Sequence, residues 1–70
     1  MMAVTTRQRE TLMWAARGKD LVATAEIMGI SPSGVKHHRL AAARALGVDN
    51  TLHAVVRALA GGIFTLEDVT

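Results

Sequence analysis

The segment from Asp20 to Leu46, DLVATAEIMGISPSGVKHHRLAAARAL, constrains this chain more than any other, because it spells two helices joined by a turn tight enough to pack the second across the first. Ala25 is small where the helices would cross, Gly29 tolerates the positive φ of a sharp turn, and Ile30 and Val35 are apolar where the crossing angle would be locked. That combination predicts a helix-turn-helix, in which the second helix reads DNA.

Start and stop signals extend the helical reading to the rest of the chain. Thr5 with Gln8 three residues on forms a capping box and predicts a first helix over Thr6 to Arg17, carrying Leu12, Ala15 and Ala16 at helical spacing and closed by Gly18. Asp20 caps a short second helix from Leu21 to Met28, which Gly29 closes. Ser31 followed by Pro32 starts the third: Ser accepts a free first-turn amide, and Pro presets φ while lacking only a hydrogen that would have had no partner. That helix is expected to reach Leu46, with Gly47 closing it. Asp49 or Asn50 caps a fourth helix through Ala60, ended by Gly61 and Gly62. The tail IFTLEDVT is too short to be a domain. The expectation is one all-α domain over residues 1–70, with a core over 4–60 and a C-terminal tail over 61–70.

Composition agrees with that reading. A chain of 70 residues buries only ~60% of its unfolded surface, so a self-association surface that adds buried area is expected. Trp14 and Phe64 are the only aromatic residues, which favours a core of Ala, Leu, Val, Ile and Met over strands. With no cysteine, neither disulfides nor thiolate zinc sites can staple the fold, and a reducing cytoplasm is consistent with that. No apolar run approaches the ~18 residues of a membrane span. The N-terminus MMAVTTRQRE lacks the basic start and apolar stretch of a signal peptide. A cytoplasmic protein is expected.

The net charge is only +2, but its placement is uneven. Between Ile27 and Val48 lie Lys36, Arg39, Arg44 and two histidines, with no acid. One face is thereby left free to meet a polyanion.

With the elements placed, VTTRQRETLMWAARGK, AEIMGIS, VKHH, LGVDN and HAVVRA occur in order along the chain, and together they resemble the DNA-binding domain of LuxR-type (GerE-type) bacterial transcription regulators. The likeness runs from Val4 to Ala60. It implies a four-helix domain whose third helix enters the major groove and whose fourth commonly mediates dimerisation. Members often carry an N-terminal sensor or receiver domain. The chain is therefore expected to be either a free-standing regulator or a domain excised from a longer protein, and Met1 and Met2 lean towards an independent product.

The chain also departs from the family pattern. Ala23 stands where an acid is usual and Thr24 where a β-branched aliphatic is usual, which removes a capping box from the second helix and some core volume. Gly34 replaces a Thr that helps to fix the start of the third helix. An amide side chain is often found at Ala41, a larger aliphatic at Ala42, and a base at each of Ala45 and Thr51. Fewer phosphate contacts imply weaker, salt-sensitive nonspecific affinity.

On the third helix Val35, His38, Ala42 and Leu46 form the expected inward stripe, so Ser33, Lys36, His37, Leu40, Ala41 and Arg44 project outward or to its flanks. Lys36 and Arg44 could donate to guanine edges or phosphates, His37 could donate or accept, and Leu40 or Ala41 could touch a thymine methyl. Arg39 is grouped with Lys36 and Arg44 as a DNA-facing base. His38 is expected to be a packing residue. Thr5, Arg7, Arg9 and Lys19 would add phosphate contacts from outside the third helix. The adjacent histidines diverge by about a hundred degrees on a helix and nothing completes a metal site, so neither metal nor cofactor is expected. Trp14, Met13 and Met28 read as packing residues.

On the fourth helix Leu52, Val56, Leu59 and Ile63 form a second stripe beside the core stripe of Ala54, Val55 and Ala58. Its expected use is a homodimer, with His53 and Arg57 at the rim and two recognition helices about one DNA turn apart. The alternative is that the tail folds back over it.

The expected function is a homodimeric, sequence-specific regulator that binds promoter double-stranded DNA in the bacterial nucleoid and recruits or blocks RNA polymerase. The alternative is an interaction module that pairs with a longer LuxR-type regulator or with polymerase. An enzyme is not expected, because Ser31 and Ser33 are explained by the helix start and no nucleophile and base constellation stands out. Membrane association through the fourth helix is not expected either, since it carries little positive charge.

Overall fold

The computed structural model describes residues 4–70, so the reading of Met1 and Met2 lies outside the described residues. Among the described residues five helices follow in order: α1 (Thr6–Ala16), α2 (Leu21–Met28), α3 (Pro32–Ala45), α4 (Thr51–Ala60) and α5 (Leu66–Val69). Among the described residues there is no strand. The all-α expectation holds, with one helix more than the four anticipated.

Each of the first four helices starts where a side chain can satisfy a free amide. The Thr5 hydroxyl accepts from the Gln8 amide at 3.2 Å while the Gln8 side chain accepts from the Thr5 amide at 3.1 Å. Asp20 accepts from Ala23 at 2.8 Å, Ser31 from Gly34 at 3.0 Å and Asn50 from His53 at 2.8 Å. Asn50, rather than Asp49, is the cap of α4. Such a cap contributes ~1 kcal/mol, a useful increment in a domain this small. α1 and α3 each end one residue earlier than expected, with Arg17 and Leu46 as the C-caps.

Between α2 and α3 the chain reverses through Gly29 at φ 68°, which lets the Ile30 amide reach back to the Ala25 carbonyl at 3.1 Å. At the crossing Ala25 and Val35 are buried, and Ile30 is half-buried. The small side chain at Ala25 is what permits the approach.

The main core joins Leu12 of α1, Ala42, Ala43 and Leu46 at the end of α3, Val48 of the connecting loop, Ala54 and Ala58 of α4, and Phe64. Four alanines in that group allow α3 and α4 to lie close to α1, and Leu12, Leu46 and Phe64 fill the space between.

The tail differs from the expectation. Phe64 is buried and α5 packs against α1, so this segment completes the core instead of covering the outer stripe of α4. Two polar contacts hold it: Arg9 Nε donates to the Ile63 carbonyl at 3.1 Å, and Arg9 Nη2 lies 3.8 Å from Asp68 Oδ2. Arg9, expected to face phosphate, is thus the tether of the tail. The Asp68 carboxyl sits below its ordinary range, mainly because the Thr65 amide donates to it at 2.9 Å.

Candidate nucleic-acid interface

α3 is anchored by its inward residues and presents the rest. Val35, Ala42, Ala43 and Leu46 are buried and His38 is half-buried. At ~100° per residue, positions 33, 36, 37, 40 and 44 fall within one stripe, and Ser33, Lys36, His37, Leu40 and Arg44 are all exposed. Ala41, on the flank, is half-buried. Leu40 leaves 48% of its surface open in the middle of this stripe, flanked by bases and by no acid. A cationic ridge with an apolar centre offers donors to phosphate or guanine and a methyl contact to thymine. The His37 and His38 rings meet edge to face, with centroids 5.8 Å apart. Among the described residues no group of three or more His, Cys, Asp or Glu could hold a metal ion.

The bases outside α3 have mixed roles. Arg7 is exposed, yet Nη1 lies 3.8 Å from Glu10 Oε2 and donates at 3.5 Å to the Met28 carbonyl, one of the free acceptors at the end of α2. Arg7 therefore ties α1 to the turn. Lys19 is exposed at the α1–α2 junction. Thr5 is exposed, with its hydroxyl engaged as the cap of α1. Arg17 lies over the Trp14 ring, 5.1 Å from its centroid, which leaves Trp14 half-buried beneath it.

Arg39 requires a correction. Its guanidinium turns away from the exposed stripe: Nη2 donates to the Lys19 carbonyl at 3.0 Å and to the Thr24 hydroxyl at 3.4 Å. Burial pushes its pKa below the ordinary arginine value, and the Asp20 carboxylate opposes that shift. Thr24, read as a loss of core volume, is fully buried with its hydroxyl paired. Both misread residues, Arg39 and Thr24, belong to one contact. Position 39 is four residues from Val35 and three from Ala42, so the inward spacing of α3 passes through it, which was the available signal.

The outer stripe of α4 is also narrower than expected. Leu52 is 76% exposed and Val56 54% exposed. Leu59 and Ile63 instead pack against the core of their own chain, and Ile63 lies beyond the end of α4. Leu52 lines one side of an open groove with Ala15, Ala16, Thr51 and Val55, and Gly18, Lys19, Asp20 and Arg39 line the rest of it. No helix among the described residues is long and apolar enough to cross a membrane.

Comparison with known proteins gives this arrangement a context. The family described as bacterial regulatory proteins, luxR family, matches residues 2–58. Transcriptional activator protein BjaR1 of Bradyrhizobium diazoefficiens is 39% identical over 56 residues, 80% of this chain and 23% of that protein. The HTH-type quorum sensing-dependent transcriptional regulator RpaR of Rhodopseudomonas palustris is 40% identical over 63 residues, 90% of this chain and 26% of its own length. Transcriptional activator protein VanR of Vibrio anguillarum is 37% identical over 59 residues, 84% of this chain and 25% of that protein. The chain thus spans about a quarter of the length of these curated relatives. No solved structure matches it at comparable significance. The chain belongs to the luxR family of bacterial regulatory proteins, a family of DNA-binding transcription regulators and not of enzymes.

Proposed function

We propose that the domain binds double-stranded DNA with α3 in the major groove, and that it does so as a homodimer joined through α4. One observation carries the first part: the Ser33, Lys36, His37, Leu40 and Arg44 stripe is exposed, cationic and free of acids. A major groove about 12 Å wide admits a helix presented in this way. Lys36 and Arg44 meet guanine edges or phosphates, Leu40 or Ala41 touches a thymine methyl, and Arg7, Lys19 and Thr5 lie on the phosphates to either side. Regulation of transcription follows from occupancy of a promoter and contact with RNA polymerase, in the cytoplasm at the nucleoid.

The dimer reading rests on Leu52 and Val56, two large apolar side chains one turn apart with most of their surface open. Pairing them across a two-fold axis would remove both from water. The domain measures 29 × 24 × 18 Å, a size at which two copies side by side can address grooves about 34 Å apart.

The same two residues favour a second reading, in which α4 pairs with a longer LuxR-type regulator or with polymerase and DNA is secondary. Ala45 and Thr51 add no positive charge to that side. Selection of bound duplexes from a random pool, with the oligomeric state measured on the same sample, separates the two. Recovery of a two-fold symmetric site by a salt-sensitive dimer supports the DNA reading. Failure to bind duplex at low salt, together with a stable hetero-complex, replaces it with the second.

A further inference from the structure

Arg39 joins three parts of the molecule that the helix-turn-helix turn alone does not hold together. It projects from the middle of α3, its Nη2 reaches the carbonyl of Lys19 in the α1–α2 loop at 3.0 Å, and the same nitrogen reaches Thr24 of α2 at 3.4 Å. Its Nε is screened from solvent and has no hydrogen-bond partner. A partly unsatisfied polar tie is a poor way to gain stability, since apolar side chains of similar volume do as well or better in such places. What it supplies is direction. α3 packs along α1 and α2 through apolar contacts, with Ala25 and Val35 buried at the crossing, and such contacts are not directional. Arg39 adds a directional polar contact about one turn beyond Val35 along α3.

We infer that Arg39 is a positioning residue for DNA recognition: by bracing α3 against Thr24 and the Lys19 carbonyl, it sets the angle at which Lys36, Leu40 and Arg44 enter the groove, without touching DNA itself. This rests on the DNA-reading function proposed above. It sets Arg39 apart from Lys36 and Arg44, which are of the same charge on the same helix. A base that meets phosphate lowers affinity for every sequence when removed and reduces the salt slope by about one. A strut changes discrimination between sequences and leaves the slope alone.

The test is a cycle of Arg39→Met, Thr24→Val and the double variant, each measured for thermal unfolding and for binding to selected and to unrelated duplexes across a salt series. For Arg39→Met the ratio of selected to unrelated affinity should fall by about tenfold, the scale of one misplaced base contact, with the salt slope unchanged. Thr24→Val, which keeps the guanidinium and its bond to Lys19, should lower the same ratio by a smaller factor. The double variant should fall short of the sum, because both changes remove one strut. A lower salt slope for Arg39→Met, or independent effects of the two changes on both discrimination and unfolding, overturns the inference. If Arg39→Met does not fold, Thr24→Val decides: unchanged discrimination overturns the strut. If the unmodified protein binds no duplex, the DNA reading fails, and coupling between the two positions in unfolding alone still decides whether the strut exists.

Discussion

The α2–α3 region and the α4–α5 region differ in what lies beside their exposed apolar residues: bases on α3, and a continuous apolar edge on α4. Across the turn, Ala25 and Val35 are closed off within the chain, and the outward side of α3 is polar but for Leu40. On α4 the inward positions are alanines, Ala54 and Ala58, while the larger Leu52 and Val56 face outward. The first region offers charge along α3, and on α2 it leaves Val22 and Ile27 exposed. The second offers apolar surface at Leu52 and Val56, the face proposed above for pairing. A regulator that reads DNA and pairs with another copy would divide its surface in this way.

Loss of Phe64 should have the largest effect and tests whether the second region is closed at its far end. Phe64→Ala is expected to cost ~3–5 kcal/mol, a large part of the whole stability of a small domain, read as a steep fall in Tm by circular dichroism. An unchanged Tm would mean that the tail adds nothing to the core. Next, Lys36→Ala and Arg44→Ala should each weaken binding to a selected duplex by ~1–3 kcal/mol where the side chain meets a base, or lower the salt slope by about one where it meets phosphate, with stability within ~0.5 kcal/mol of the original. A loss of stability instead would move those side chains into the frame of the fold.

Leu52→Glu with Val56→Glu sharpens the contrast from the other side. Sedimentation should show dimer affinity lowered by at least about tenfold, ~1.4 kcal/mol, with helix content unchanged. Ser31→Ala should cost ~1 kcal/mol by removing the cap of α3, measured by thermal unfolding. The smallest effect concerns Asp68. Its depressed pKa means that its stabilising contribution is present above the unfolded value of about 3.9 and is lost as pH falls through the lower folded value. The Tm difference between the original and Asp68→Asn should therefore close in acid.

Most of the helical frame was legible because its signals are local. Thr5, Asp20, Ser31 and Asn50 each meet an amide three residues ahead, so spacing along the chain suffices to find them. The tail was not legible in that way. Thr65 and Asp68 form a local box of their own, but α5 has only four residues, and its place depends on Phe64 reaching Leu12 and on Arg9 reaching across 54 positions. Arg39 was misread for a related reason. A positive charge on α3 suggests DNA, and although the inward spacing passes through position 39, the acceptor it meets is on Thr24, 15 residues away in the sequence.

Phe64 has a practical consequence for where such a domain can be cut. The match to the family model ends at residue 58, yet the ring that plugs the interior lies six positions later, and Val69 leans on the same interior. A fragment trimmed to the recognisable part would be missing its stopper, and poor behaviour in solution would then say nothing about how well it grips a promoter.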